Sequence, residues 1–394
     1  MNETNTLGLS PEKRKRLAFI EGRPDLFETK VFKTIAPEKG VEAKHVLVAT
    51  RDPGGANALL PVMRELLTDQ SVEMDIVTDG RAQEIIQSNF SVVDVTPKYT
   101  AFVSDEIVSL PKVILSDKSS SEAGINTYVA ATFLDVPQVL VEDYYGTAND
   151  LLQKMKDRKI PLPRKICVMD ECAKEIVVRR FPDLEGIVEV TGQPIYDKYF
   201  MEDTEKRAVE VKARLGLGPA DKLVSYMSTL DEPEKIQQVA HALSGLAKNF
   251  YFVFRRHPRD NTSYETFKKL LVEAGIRVID ADTFTTDEIG AASDVVLTTW
   301  STAGLEGVYR GKPTVHLVDP TFRVSEDLEL PLPQVKLGAS VGINQASELT
   351  ALMPQLLDTD SPLNKNLKHK MDEHYRADGK NAKRVADIVR DFLN

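Results

Sequence analysis

Short apolar runs rich in β-branched residues alternate with longer segments of helical period along this chain, and no other feature restricts its fold as strongly. The first series of runs covers 45–50 (HVLVAT), 74–78, 91–95, 113–116, 138–141, 166–169 and 188–190. Such runs predict strands that are buried on both faces, and the helices between them predict parallel pairing through right-handed crossovers. The loops that follow the strands then meet at one edge of the sheet, where ligands bind in such folds.

The alternation restarts after a break. A second series covers 222–226, 251–254, 277–279, 295–298 and 314–317. Glycines and prolines flank a charged helical stretch between the two series, and this composition is typical of an interdomain connection. We therefore predict an α/β protein with two Rossmann-like, doubly wound parallel-sheet domains that face a cleft, and such a cleft would bind the ligand.

The same pattern predicts the domain boundaries, and a length of 394 residues also favours two domains. We expect an N-terminal extension over 1–44, a first Rossmann-like domain over 45–192, a linker over 193–222, a second Rossmann-like domain over 223–375, and a C-terminal helix over 376–394 that could pack back on the first domain.

Charge and cysteine content argue against several classes of protein. The chain has 50 Lys and Arg against 60 Asp and Glu, a formal net charge of −10, whereas a nucleic-acid partner favours a basic surface. Two cysteines, Cys167 and Cys172, are too few for a disulfide framework or a zinc site, and no ligand spacing typical of a metal occurs. We therefore expect no metal and no cofactor. Since we find no apolar run of transmembrane length and no signal-peptide pattern, we also expect a cytoplasmic protein with no transmembrane segment.

The first strand-to-helix loop, 51–57 (RDPGGAN), is a candidate ligand-binding loop. Its two glycines would let the backbone approach a ligand closely, and the helix that follows offers N–H groups to an anion. Gly54, Gly55 and Asn57 are therefore candidate binding residues. The alternative is a tight turn that requires glycine at positive φ, and the segment lacks the dinucleotide-binding pattern.

The segment 294–317 is the most informative in the second half, because a buried strand ends in hydroxyl residues just where a helix begins. Thr299, Ser301 and Thr302, with the helix N–H groups, would suit a diphosphate. Glu306, about one turn later, could accept hydrogen bonds from ribose hydroxyls. The alternative for this pattern is ordinary helix capping.

Two further strand ends of the second half carry polar residues. Arg256 and His257 follow the run 251–254 and could neutralise a phosphate leaving group without a metal. Ser228 follows the run 222–226 and adds a hydroxyl at the same edge. The alternative for the arginine is a solvated strand end.

Carboxylates follow strand-like runs of the first half, namely Asp117, Glu142 and Asp143. A general base for an attacking hydroxyl needs a carboxylate at this edge, so these three are candidate catalytic residues together with His257. The alternative is that they cap helices or face solvent. A nucleophilic serine is not supported, since no G-x-S-x-G segment occurs.

The chain resembles the GT-B superfamily of nucleotide-sugar enzymes through several of these motifs. The resemblance is to the non-hydrolysing UDP-N-acetylglucosamine 2-epimerase-like branch in particular, and to its glycosyltransferase relatives. Val190–Asp197 (VTGQPIYD) is similar to that group's Val-Thr-Gly-Asn-x-x-x-Asp segment, which makes Gln193 a candidate binding residue. Thr298–Glu306 is similar to its Ser-Asp-Ser-Gly-Gly-x-x-Glu-Glu segment. The resemblance implies that Ser301 and Thr302 hold a diphosphate and that Glu306 holds ribose.

Departures from the epimerase pattern favour glycosyl transfer. Asp117 and Glu142 lie at comparable places, but the expected Pro-Glu-Glu segment is absent from 146–160, and 228–232 replaces a His-Arg-x-Glu-Asn loop. The resemblance therefore implies a metal-independent glycosyltransferase that takes a nucleotide-sugar donor and an unknown acceptor, with the first domain for the acceptor and the second for the nucleotide. Alternatives are a 2-epimerase, a glycerol- or polyol-phosphate transferase, and a non-catalytic sugar-nucleotide-binding protein. A homodimer is left open.

Overall fold

The computed structural model describes residues 30–34, 43–78, 80–94, 111–118, 136–229, 233–257, 263–318, 327–328, 330–375 and 378–394. The chain divides into two compact units. Unit 1 is Met1–Asp197 with Lys380–Asn394, and unit 2 is Lys198–Gly379. The division thus falls inside the predicted linker, and the cleft predicted between the domains stays a prediction. Residues 119–135, where the alternation predicts a helix between the runs 113–116 and 138–141, lie outside the described residues.

In the described part of unit 1, eight strands form one sheet in the order β4-β1-β3-β2-β5-β6-β7-β8. The strands are β1 (Lys30–Thr34), β2 (Lys44–Thr50), β3 (Val72–Thr78), β4 (Val92–Asp94), β5 (Val113–Asp117), β6 (Gln138–Val141), β7 (Lys165–Val168) and β8 (Val188–Val190). Six strands that are consecutive in this sheet are parallel, namely β3, β2, β5, β6, β7 and β8. The strand β1 pairs antiparallel with both β3 and β4. A strand therefore forms within the segment predicted as an N-terminal extension.

Helices cover the sheet of unit 1. They are α1 (Pro53–Leu66), α2 (Gly80–Asn89), α3 (Thr147–Asp157), α4 (Glu171–Arg180) and the C-terminal α14 (Asn381–Leu393), with 3-10 helices at Pro182–Ile187 and Pro194–Tyr196. The strands β5 and β6 are buried at every position because apolar helix faces cover them. One apolar face of α14 packs on α1, where Val385 and Val389 join the core around Val48 and Leu59.

The start of α14 is hydrogen-bonded to the segment that ends unit 1. The Asp197 carboxylate accepts the N–H groups of Asn381 at 3.0 Å and Ala382 at 2.7 Å. The Asn381 amide donates to the carbonyl of Gln193 at 3.2 Å, and the same side chain lies where a Cβ on Gly192, at φ +82°, would be. A negative charge beside free N–H groups stabilises a helix start, so this junction holds α14 on unit 1.

Unit 2 contains a parallel sheet of five strands among its described residues, in the order β10-β9-β11-β12-β13. The strands are β9 (Leu223–Met227), β10 (Tyr251–Arg255), β11 (Val295–Thr298), β12 (Thr314–Leu317) and β13 (Val341–Ile343). The helices are α5 (Asp197–Met201), α6 (Thr204–Arg214), α7 (Pro233–Leu243), α8 (Tyr264–Glu273), α9 (Thr286–Ala292), α10 (Thr302–Tyr309), α11 (Pro333–Lys336), α12 (Leu349–Leu357) and α13 (Pro362–His374), with 3-10 helices at Ser244–Leu246 and Ala346–Glu348. The run 277–279 forms only a single bridge, Phe252 with Val278.

Each sheet has a point at which the strand order reverses. In unit 1 the chain runs from β2 to β3 on one side of β2 and later returns to add β5 on the other side of β2. In unit 2 it runs from β9 to β10 on one side of β9 and later adds β11 on the other side of β9. Ligands of open α/β sheets bind outside the strand ends at such a switch point. These two parallel, helix-covered sheets confirm the predicted fold class. No helix among the described residues combines the length and apolar character needed to cross a bilayer.

We expect Asp197→Ala to lower the free energy of unfolding by about 1–2 kcal/mol, because two helix N–H groups lose their acceptor and the helix start loses a favourable charge. Urea denaturation of the full chain measures this loss. The control is Asp387→Ala, which removes an exposed carboxylate that pairs with Lys383 and Arg390 on the same helix; it should cost no more than about 0.5 kcal/mol. Equal losses would show that the junction at Asp197 contributes nothing beyond surface charge.

Candidate functional site

Three polar side chains lie together at the strand ends of unit 1. Thr50 ends β2, Asp117 ends β5 and Glu142 follows β6, and these strands are neighbours in the sheet. The Thr50 hydroxyl donates to the Asp117 carboxylate at 2.5 Å and so joins the two strands at the switch point. Asp117 is 1 % exposed. Asp117 therefore lies at the sheet edge, as predicted, but its carboxylate is buried in the protein.

The two glycines of the first loop make room for the protein's own carboxylates. A Cβ on Gly55 would overlap the Asp117 carboxylate, and a Cβ on Gly54 would lie 2.9 Å from Asp143 Oδ2. Neither glycine has positive φ, so the alternative of a turn that needs that conformation does not explain them. Asn57, half-buried in the first turns of α1, is beside this loop in sequence. The close approach expected for a ligand is therefore made here by internal acidic groups.

Glu142 is enclosed, with 1 % of its surface exposed. One carboxyl oxygen accepts the Ala148 N–H of α3 at 3.2 Å, and the other has no hydrogen-bond partner among the described residues. Burial raises the pKa of this carboxyl well above its ordinary value, because the charged form is poorly solvated there, and nearby Asp143 adds to the effect. A protonated carboxyl can donate a proton but cannot accept one.

Asp143 is the more accessible of the two adjacent acids. It is half-buried, and its carboxylate accepts the Thr147 hydroxyl at 2.8 Å. The buried Gln193 amide donates to the carbonyls of Glu142 and Asp143 at 3.0 and 2.9 Å. The structure thus uses the side-chain N–H groups of Gln193 to hold the backbone that carries both acids.

In unit 2, hydroxyl groups line the ends of β9 and β11. Thr229 and Thr299 hydroxyls lie 2.5 Å apart across the switch point, and Thr298 donates to the carbonyl of Met227 at 2.7 Å. Ser228 is buried, and its hydroxyl oxygen has no hydrogen-bond partner among the described residues. The predicted hydroxyl residues Ser228 and Thr299 are therefore brought to one place.

Ser301 caps helix α10. Its hydroxyl oxygen accepts the Ala303 N–H at 3.2 Å, so the capping alternative is realised for this residue. A hydroxyl that accepts one hydrogen bond keeps its own proton for donation, and capping therefore does not prevent contact with an anion. Thr302, the first residue of α10, is exposed.

Arg256 and His257 follow β10, which is the neighbour of β9 on the side away from β11. Arg256 is exposed and His257 is half-buried. Pro258 lies outside the described residues. The strand order therefore brings the predicted cationic residues to the same edge as the hydroxyl groups.

Glu306 lies in a cluster of charges that sequence reasoning missed. Burial raises the pKa of the Glu306 carboxyl, against the opposing effects of nearby Lys198 and Arg310. The Arg310 guanidinium lies 4.0 Å from the centre of the Tyr199 ring and 2.7 Å from the Asp287 carboxylate. Glu306 thus has protein partners, and its expected contact with ribose stays a prediction.

His316 and Gln334 are also absent from the sequence-based site. His316 Nδ1 lies 2.8 Å from the Thr299 carbonyl oxygen, and its Nε2 lies 3.2 Å from the Gln334 amide nitrogen. The signal in the sequence was a histidine inside the apolar run 314–317 (TVHL). Among the described residues, no group of three or more His, Cys, Asp or Glu side chains is arranged to hold a metal ion.

The comparisons with known proteins place this chain among transferases. A family model described as CDP-Glycerol:Poly(glycerophosphate) glycerophosphotransferase matches residues 66–391. Among curated protein sequences, none matches the chain.

Solved structures share the fold at low sequence identity. UDP-GlcNAc 2-epimerase from Neisseria meningitidis, bound to UDP-GlcNAc, is 15% identical over 88% of this chain and 100% of its own, with a TM-score of 0.60. A glycosyltransferase from Rickettsia africae is 12% identical over 89% and 99%, with a TM-score of 0.59. HepE from Anabaena, in complex with UDP and glucose, is 12% identical over 89% and 100%, with a TM-score of 0.53. These likenesses show that the chain shares its fold with the GT-B epimerases and glycosyltransferases that its motifs resemble.

We expect Gly55→Ala to destabilise the protein by about 1–3 kcal/mol, because the new methyl group overlaps the buried Asp117 carboxylate, which Thr50 holds in place. Thermal or urea denaturation measures the loss. Gly245→Ala is the control, since a Cβ there meets nothing within 4 Å. A Gly55→Ala protein as stable as the control variant would mean that the carboxylate is not held against the loop.

We expect Glu142→Gln to gain stability relative to the unchanged protein as the pH rises above the ordinary pKa range of a glutamate carboxyl. The carboxyl pKa is higher in the folded than in the unfolded chain, so its contribution to stability is full below the unfolded pKa and is lost as the pH rises toward the folded value. Glutamine is neutral throughout and keeps an acceptor for the Ala148 N–H.

Urea denaturation at several pH values tests this. The control is Asp150→Asn, which removes an exposed carboxylate from the first turn of α3. The same pH dependence in both variants would contradict a protonated Glu142.

Proposed function

The chain belongs to the CDP-glycerol:poly(glycerophosphate) glycerophosphotransferase family, and from this premise we propose that it transfers a glycerol phosphate or related polyol phosphate group from a CDP-activated donor to an acceptor hydroxyl. The single observation that carries the proposal is the family match over residues 66–391. The hydroxyl and cationic residues at one sheet edge of unit 2 support it, because a diphosphate donor needs such partners.

The reaction is a phosphoryl transfer. The acceptor oxygen attacks the phosphorus that carries the glycerol, a new phosphate ester bond forms, and the bond to the bridging oxygen of the diphosphate breaks. CMP leaves with the electron pair of that bond, and the acceptor proton passes to a base. Catalysis of this kind depends mainly on positioning and on charge stabilisation.

Unit 2 supplies the groups suited to the donor. The hydroxyls of Thr299, Ser301 and Thr302 would donate to the diphosphate oxygens, and Arg256 or His257 would stabilise the charge that develops on departing CMP. We propose that these groups act without a metal ion.

Unit 1 supplies the groups suited to proton removal. Three carboxyls were candidates, and their surroundings favour Asp143. Burial raises the pKa of Glu142 well above its ordinary value and makes this carboxyl a poor choice of base, whereas Asp117 is buried and accepts the Thr50 hydroxyl. Asp143 is half-exposed and is fixed by Thr147, so it would accept the proton, with Glu142 holding the local geometry.

Glycosyl transfer from a nucleotide-sugar donor is the second candidate, and the fold shared with UDP-bound structures favours it. There the acceptor attacks the anomeric carbon, and a nucleoside diphosphate leaves. The same hydroxyl edge of unit 2 suits both donors, since both carry a diphosphate. The nucleotide that is released distinguishes the two reactions.

The test is to incubate the full chain with CDP-glycerol or UDP-GlcNAc, each with and without a short synthetic glycerol phosphate oligomer. We expect CMP release from CDP-glycerol that depends on the oligomer, with one glycerol phosphate added to it, as measured by chromatography and mass spectrometry. UDP release with a sugar added to the acceptor would support glycosyl transfer and overturn the proposal.

In that assay, Asp143→Asn should lower kcat by about 10²–10⁴-fold because the acceptor proton loses its base, while the donor KM changes by less than about threefold. The control Asp157→Asn removes an exposed carboxylate from the last turn of α3 and should leave both constants unchanged. If Asp143→Asn is as active as the control, Asp143 is not the base.

A further inference from the structure

His316 is a buried polar residue that the proposed chemistry does not use. It is the third residue of β12 and is 1 % exposed. Its ring contacts the segment 299–304 on two sides. Nδ1 lies 2.8 Å from the Thr299 carbonyl oxygen, and a Cβ on Gly304 would lie 2.5 Å from ring carbon Cε1. The imidazole is thus packed directly beneath the loop and first turn that carry Ser301 and Thr302.

The partners of the ring determine where its proton is. A carbonyl oxygen can only accept, so Nδ1 carries the proton and donates it to Thr299. The Gln334 amide nitrogen can only donate, so Nε2 is unprotonated and accepts. Gln334 is fully buried, and a rotated amide would require a charged imidazolium. Burial opposes that charge and lowers the pKa of His316 to about 4.

The hydrogen bond to Thr299 fixes the direction of the next backbone amide. In a planar trans peptide, the carbonyl of one residue and the N–H of the following residue point in opposite directions. Holding the Thr299 carbonyl toward His316 therefore holds the Trp300 N–H pointing away from the ring. Without this bond the peptide could rotate, and the hydroxyls of Thr299 and Ser301 would move with it.

We propose that His316, kept in the Nδ1–H form by Gln334, positions the segment Thr299–Thr302 for the diphosphate of the donor. It is a positioning residue, since it acts through the Thr299 carbonyl. The identification of the ligand as a diphosphate rests on the proposed function, whereas the positioning of the segment by His316 does not. This tautomer is selected by two buried partners, one directly after β11 and one in α11, which suits a role in orientation.

The site also allows a clean substitution. The ring borders a cavity of about 350 Å³ lined mainly by apolar side chains such as Val318, Leu332 and Ile343. A side chain of different length at position 316 therefore has room without displacing the strand. Asparagine places its amide near the position of Nδ1 and can still donate to Thr299. Glutamine places its amide near Nε2 and loses that contact.

The first measurement is NMR of the full chain with ¹⁵N-labelled histidine. The chain has six histidines, and the signals lost in His316→Asn identify this residue. We expect a protonated Nδ1 and an unprotonated Nε2 at neutral pH. A protonated Nε2 with a bare Nδ1 would overturn the proposal, whatever reaction the protein catalyses.

The second measurement compares the two variants by hydrogen exchange and by calorimetry with CDP-glycerol. In His316→Gln we expect exchange over 300–304 to become about tenfold faster with other segments unchanged, and the Kd for CDP-glycerol to rise about tenfold. In His316→Asn both should stay within about threefold of the unchanged protein. Equal behaviour of the two variants, or exchange raised throughout unit 2, would contradict positioning through Thr299.

Failure of the unchanged protein to bind CDP-glycerol would count against the proposed function, and the tautomer and the exchange data would still decide the role of His316. If both variants at 316 fail to fold, Gln334→Met removes the donor to Nε2 at similar volume. We expect the Nδ1–H preference of His316 to weaken in that variant and exchange over 300–304 to rise. An unchanged tautomer would overturn the role assigned to Gln334.

Discussion

In each unit a hydrogen bond between two side chains joins the strands between which the strand order reverses, and the polar groups of the candidate site are arranged around these two bonds. They are Thr50 with Asp117 in unit 1 and Thr229 with Thr299 in unit 2. At a reversal the crossover helices diverge, so the strand ends are left for a ligand. Because the paired groups are buried, they are oriented by one another instead of by water, and such preorganised dipoles are effective toward developing charge.

The two units differ in the charge that they offer at these edges. In unit 1 the start of α1 adjoins the carboxylates of Asp117 and Asp143. A phosphate at that helix start would meet like charge, whereas an acceptor hydroxyl would find hydrogen-bond acceptors. In unit 2 the edge carries hydroxyls and the cationic Arg256. The net charge of −10 therefore does not describe the edge of unit 2, and it is weak evidence against an anionic substrate there.

The sequence predicted the elements and their edges because apolar periodicity and parallel pairing are local or topological properties. Ser228 and Thr299 could be brought together on that basis alone. It could not predict side-chain partners far apart in the chain, such as the Tyr199 ring for Arg310 or Gln334 for His316. Which buried group meets which depends on packing between elements. The run 277–279, predicted as a strand, forms only the single bridge between Val278 and Phe252.

The fold leaves the choice between the two reactions open, since one scaffold carries both kinds of chemistry. Glycosyl and glycerol phosphate donors share a nucleoside diphosphate, so residues that bind the diphosphate serve either one. The reactions differ in the bond that breaks, at carbon in the first and at phosphorus in the second. Attack at phosphorus leaves the charge on CMP and spreads charge over the transferred phosphoryl oxygens. Neutral donors held in fixed directions can stabilise that spread charge without the desolvation cost of a buried cation, and the hydroxyls that we propose for this role are those of Thr299 and Ser301.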